Sequence, residues 1–280
     1  MNDDASEGQL QRSSLPKNAR RARLRARVLA RAGIFASQIG LLAVLLWLWE
    51  SATAHDRQAA FLFGSPSAIF GFLVKMWRDG SLFRDTYVTG VETLLGFLLG
   101  NVIGTSIGLS LWYSQSVARV VQPFIIALGS IPIIALAPIM IIWFGTGLMS
   151  KVVMATLSVV VVALITSYKG ALSVDPDKIS LFRTLGATKG QIFHRLVIPS
   201  ALTDIFAGLR LTVGFALIGA IIGEFMSSSE GLGHAIFKAG SLYNIPKVFA
   251  ALVATIALAL FLTWLVGQLE RLLTPWRNVP

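Results

Sequence analysis

The stretch Thr93–Ala118, TLLGFLLGNVIGTSIGLSLWYSQSVA, runs for 26 residues without one Asp, Glu, Lys or Arg. A helix of about 20 mostly apolar residues crosses a hydrocarbon core about 30 Å thick. This segment is therefore long enough to span a bilayer. Its glycines at 96, 100, 104 and 108 recur every fourth residue and so share one helix face. Small residues at that interval let a second helix backbone come close, which matters in lipid, where apolar burial gives helices little drive to associate. The stripe predicts helix packing, and a subunit interface is one place for it.

Further charge-free runs lie on either side: 32–49, 120–150, 152–168, 211–223 and 248–269. The 120–150 run is too long for one simple span and meets a turn at Gly145-Thr146-Gly147. The 211–223 run reaches adequate length only if it extends back through Arg210 toward Ala201 and forward to Phe225. The reading is an all-α polytopic membrane protein with about six spans, near 32–49, 86–112, 121–144, 149–170, 201–225 and 248–269. They sit in a transmembrane domain over 32–277, preceded by a basic tail over 1–31. The bulk composition agrees: 55% hydrophobic, 14% charged, mean hydropathy +0.71. A soluble domain carries about 25% charged residues. The chain has no Cys, which removes disulfides and thiolate metal sites.

The net charge of +10 first suggests a nucleic-acid partner. Its distribution points elsewhere. With the N-terminus in the cytoplasm, sixteen Lys and Arg fall inside and seven outside, which orients both termini inward. The run Arg20, Arg21, Arg23, Arg25, Arg27, Arg31 abuts the first span, so its expected partner is anionic lipid headgroups and not nucleic acid. A signal peptide ending at Ala52-Thr53-Ala54 is disfavoured by the long basic region before it and the spans after it.

Between the first two spans, Ser65-Pro66 reads as a helix start, and Ile69, Phe72, Leu73, Met76 and Trp77 make one apolar face. That describes an amphipathic helix on the membrane surface or against the bundle. In the third span, Pro123, Pro132 and Pro138 interrupt the helix, with Ser130-Ile131-Pro132 at mid-membrane depth. Broken helices are tolerated in lipid where they pack in protein or line a water-filled path. Ser130 and Pro132 are thus candidates for the translocation pathway, against a simple kink. Glu92, Arg210 and Glu224 are charges within or near spans and hence functional candidates. The alternative for the two glutamates is reach to the outer interface, and for Arg210 a snorkelling side chain.

The segment 169–200 is the longest internal cytoplasmic stretch and is written as two short helices. Asp175-Pro176-Asp177 starts the first, Gly186 stops it, and Thr188 with Gln191 forms a capping box for the second, which is expected to end before Pro199. Ile179, Phe182, Leu185, Ile192, Phe193, Leu196 and Val197 supply apolar groups. An apolar helical hairpin offered to the cytosol reads as a docking surface. No Gly-x4-Gly-Lys-[Ser/Thr] phosphate loop occurs, so any ATP is hydrolysed by another polypeptide. His55, His194 and His234 are too scattered for a metal site, and no catalytic constellation is found.

The residues Thr184-Leu185-Gly186-Ala187-Thr188, then Leu196-Val197-Ile198-Pro199 and Ala207-Gly208-Leu209-Arg210-Leu211, resemble the cytoplasmic signature of permease subunits of ATP-binding-cassette importers. Further matching segments are Ser65-Pro66-Ser67, Trp143-Phe144-Gly145-Thr146-Gly147, Ser173-Val174-Asp175-Pro176-Asp177 and Ser229-Glu230-Gly231-Leu232-Gly233. Together they are similar to the nitrate, sulfonate and taurine branch, over about residues 60 to 277. The resemblance implies a type I importer permease of the bacterial inner membrane, in which the loop 175–199 carries a coupling helix seated in a groove of the ATPase. Asp175, Ser180, Phe182, Leu185, Gly186, Ala187, Leu196 and Pro199 are the coupling residues it implies. It also implies a second permease subunit, expected as a homodimer, two ATPases that hold ATP and magnesium, and a periplasmic or lipid-anchored solute-binding protein. The solute it favours is a small anion such as a sulfonate, taurine or nitrate. Where the signature has Glu-Ala-Ala, this chain has Ser180-Leu181-Phe182, losing a carboxylate and gaining bulk at the ATPase contact. The competing class is an ATP-independent secondary transporter or channel, which needs intramembrane carboxylates; Glu92 is the one away from a span end.

Overall fold

The computed structural model describes the backbone of residues 17–273, and the side chains of residues 33–56 and 58–272. The side chains of the basic tail, including the arginines expected to meet lipid headgroups, and Arg277 lie outside those limits. The described residues are helical, without a strand among them. They divide into two compact units, residues 1–67 and 68–280.

In the first unit, α1 (Lys17–His55) contains the first apolar span and continues past the expected end at 49. Asp56 caps α2 (Arg57–Phe63) by accepting from Gln58 N at 2.8 Å. The helix start predicted at Ser65-Pro66 is present as the first residue of α3 (Pro66–Arg78). Glu50 of α1 accepts from the backbone N–H and the hydroxyl of Ser67 at 2.9 and 2.7 Å, placing an acid at the positive end of that helix.

The second unit is organised around α4 (Ser81–Ser110), α7 (Leu148–Leu172) and α10 (Ile198–Ser227), with α12 (Ile245–Leu273) closing the core through Leu258, Leu262 and Val266. The glycine stripe of α4 packs within the chain, against α7. A methyl group at Gly96 would overlap Ala155, at Gly100 it would overlap Val159, and at Gly104 the Val160 carbonyl and Ala163. This places the stripe away from the subunit interface considered for it. α10 does the same from the other side: Gly219 lies against Met154, Ala155 and Ser158, and Gly223 against Lys151. The helix α7 is therefore gripped between two glycine-bearing helices, and its Ala155 and Val159 are fully buried. Such close approach maximises dispersion contact and substitutes for the hydrophobic drive that lipid withholds.

The expected third span is two helices, α5 (Gln115–Gly129) and α6 (Ile133–Phe144), bent by 89° at Ser130-Ile131-Pro132. Pro132 carries no N–H, and its extended backbone, φ −64° and ψ 115°, lets a new helix start at Ile133. The described residues thus hold five helices long and apolar enough to cross a membrane, or six if the bent pair counts as one span. Two shorter helices complete the unit: α3, most of which lies past residue 67 and which buries Ile69 and Met76 of its predicted face, and α11 (Leu232–Ser241). Between α3 and α4, Asp79 accepts from the N–H and hydroxyl of Ser81 at 2.9 and 2.7 Å, and these bonds hold its carboxyl below the usual range.

Candidate functional site

The loop 175–199 folds as its caps dictate. Asp175 accepts from Asp177 N at 2.9 Å and opens α8 (Pro176–Thr184). The helix closes on Gly186 at φ +78°, a conformation that disfavours a Cβ. There Gly186 N bonds Arg183 O at 2.9 Å and Ala187 N bonds Phe182 O at 3.0 Å, the paired bonds of a Schellman ending. Thr188 and Gln191 make the predicted capping box at the head of α9 (Lys189–Ile192).

The second helix does not stop before Pro199. A π-turn over Phe193–Val197 carries it directly into α10, so residues 189–227 form one continuous rod. The physical reason lies in the hydrogen bonds: Ile198 N reaches back five residues to Phe193 O, so the ladder has already shifted when Pro199 enters the first turn without a donor.

The hairpin sorts the eight coupling residues into two sets. Phe182, Ala187 and Leu196 pack on a small core of Ala171, Val174, Ile192, Phe193 and Val197. Ser180, Leu185, Gly186 and Pro199 are exposed, as is the capping Asp175. Leu185 is 75% exposed, and Leu181 stands beside it at 58%, a residue the sequence reading quoted only as part of the departure from the signature. Two large apolar side chains on a loop whose backbone is fixed by three caps form a preformed knob.

The pathway candidates are not gathered into one place. Ser130 donates to Ile126 O at 2.9 Å, inside its own helix, at the α5–α6 break. Arg210 pairs with Glu270 of α12, whose side chain is 8% exposed, tying α10 to α12. Glu224 is fully buried at the opposite end of α10, where its carboxylate caps α11: it accepts from the Gly233 N–H and from Thr89 Oγ1, the latter at 2.6 Å. Thr89 in turn accepts from Leu232 N at 2.8 Å, and Asp85 accepts from Gly231 N at 3.2 Å. Glu92 lies against Glu224, and Lys151 donates from the other side to the carbonyls of Thr146 and Gly147 at 2.8 and 3.2 Å. A cavity of about 670 Å³ adjoins this cluster, with Tyr87, Glu92, Lys151 and Ser227 to Glu230 in its wall. Asp85, Thr89 and Lys151 were not singled out from sequence, and Lys151, counted there as an outer charge, is buried. Glu224 holds an outer helix in place, a different position from the interfacial reach considered for it.

The chain as a whole is similar to known proteins. Residues 100–275 match the family model described as binding-protein-dependent transport system inner membrane component. The formylaminopyrimidine transport permease protein ThiX of Halalkalibacterium halodurans is 37% identical over 84% of this chain and 93% of its own. The taurine transport system permease protein TauC of Escherichia coli is 26% identical over 86% of this chain and 89% of its own. Among solved structures, the fold matches a chain of the MetNI methionine ABC transporter with a TM-score of 0.62, at 23% identity over 70% of this chain and 96% of that one. The chain is a multi-pass inner-membrane protein of type I importer fold and belongs to the binding-protein-dependent transport system inner membrane components, the permease subunits of ATP-binding-cassette importers.

Proposed function

We propose that this permease forms half of a solute pathway working by alternating access, and that the knob at Leu181 and Leu185 seats in a separate ATPase subunit carrying ATP and magnesium. The observation that carries this reading is the hairpin's build: an exposed apolar tip on a capped loop that runs without interruption into α10. A force applied at the tip reaches the bundle through α9 and the π-turn into α10. Ser180, where the family signature has Glu, removes one carboxylate from the contact, and Leu181 and Leu185 supply its large apolar groups. The assembly comprises two copies of this chain, two ATPases and a solute-binding protein on the outer face, with both termini in the cytoplasm, as the charge distribution supports.

For the solute, the taurine permease supports a small anion such as a sulfonate, taurine or nitrate, and the formylaminopyrimidine permease extends the class to small nitrogen heterocycles. The test is reconstitution of the purified complex in proteoliposomes with these two solute classes. ATP-dependent uptake stimulated by a binding protein supports the reading. Uptake that persists without ATP and collapses with a proton or sodium uncoupler would replace it with a secondary transporter.

A further inference from the structure

The hairpin is held at a second place, away from its tip. The turn Leu111–Tyr113 follows α4, and Ser114 then caps α5 by accepting from Val117 N. Lys189, the first residue of α9, donates from Nζ to the Tyr113 carbonyl at 2.5 Å, across 76 positions of sequence. The same ammonium lies over the rings of Trp112 and Tyr113, 5.8 and 5.9 Å from their centroids. Phe193 of the π-turn packs against both rings at a tilt, at 5.6 and 4.6 Å between centroids. Lys189 is exposed and Phe193 is buried, so the contact has a charged outer layer and an aromatic inner one.

Its position in the chain gives the contact a direction. Tyr113 is the last residue before the cap of α5, and α5 leads directly to the break at Ser130-Ile131-Pro132. α5 buries only Ala118 and Ile125, against Leu111 and Leu164. α4, by contrast, is locked to α7 along its glycine stripe. The π-turn places a wider, less regular turn just where the rod leaves the hairpin, the kind of segment that serves as a hinge. A displacement of the hairpin is therefore divided: along α10 through the π-turn, and into the first turn of α5 through Lys189.

We propose that Lys189, with Trp112 and Phe193, is a positioning residue that passes movement of the docking hairpin to the broken pair α5–α6. The proposal rests on the importer reading above. It assigns a second line of transmission, distinct from the rod into α10, and Lys189 takes no part in the apolar tip.

The chain contains no Cys, so a single Ser130→Cys gives a clean reporter at the break. The complex, purified with its ATPase subunit and reconstituted, is labelled with a charged maleimide with and without ATP and vanadate. In the otherwise native chain, ATP and vanadate change the labelling rate about tenfold, the size expected of a transmitted coupling. With Lys189→Met, ATP hydrolysis stays within about twofold while that change falls to less than about threefold. Lys189→Arg, which keeps the charge and a donor, restores it. A Lys189→Met protein whose reporter responds as the native one does overturns the proposal. So does loss of the ATPase on purification of Lys189→Met, because Lys189 would then belong to the docking contact. Failure of the native chain to purify with an ATPase is a separate outcome, which sinks the importer reading itself.

Discussion

At one end of the bundle Glu224 is sealed at 0% exposure with Thr89 and the head of α11 closed around it, whereas at the other Leu185 projects at 75%. Both ends cap helices with acids and hydroxyls, yet the consequences differ. In the outer cluster, Glu224, Asp85 and Thr89 are drawn from α4 and α10 and serve a third helix, so each bond is also a tertiary contact. In the inner hairpin, Asp175, Thr188, Gln191 and Gly186 satisfy their own loop, and the fold asks nothing of its tip. A segment that is self-sufficient in hydrogen bonds leaves its apolar side chains free for a partner. A polar cluster bound into three helices is committed to holding them.

The difference predicts a gradient of effects on stability. Glu224→Ala strands the N–H groups of α11 and the Thr89 hydroxyl in a buried site, and is expected to lower unfolding stability by about 3–5 kcal/mol, read as loss of monodisperse protein in detergent and a lower Tm. Next, Gly104→Val drives a side chain into the Val160 carbonyl and Ala163, for about 1–3 kcal/mol in the same assay. Arg210→Ala removes the ion pair to the buried Glu270 side chain. Half-exposure of the arginine limits the loss to about 1–2 kcal/mol, and Glu270→Gln in the Arg210→Ala background recovers part of it. Smallest of all, Leu185→Glu at the exposed tip changes stability by less than about 0.5 kcal/mol.

The same contrast explains what could be read from sequence. The hairpin was legible because its signals are local: an Asp before Pro, a Thr three residues ahead of a Gln, a Gly at the stop. Each acts within four residues, so spacing alone reveals it. Pro199 misled because its usual meaning, a helix end, assumes a regular ladder, and the π-turn at Phe193–Val197 changes the ladder first. The glycine stripe announced close packing correctly, but a helix face does not name its partner, and the partner is α7 of the same chain. The outer cluster was illegible for a stronger reason. Thr89 and Glu224 are 135 positions apart, and Asp85 and Gly231 are 146 apart, so only the packing of α4, α10 and α11 brings them together. Lys151 sat in what looked like a short outer turn, and its burial depends on the approach of Gly223 from α10. Hydropathy located the third span but could not show that Pro132 divides it.

The central claim is that the exposed tip of the hairpin seats in an ATPase, and Leu185→Glu tests it most directly. The variant and the native chain would be purified from the same membranes and compared for bound ATP-binding-cassette subunit and for Tm. The account predicts that the ATPase is lost, with affinity reduced about 100-fold or more as for an apolar anchor replaced by a charge, while the Tm is unchanged. Retention of the ATPase by a stably folded Leu185→Glu protein would contradict it.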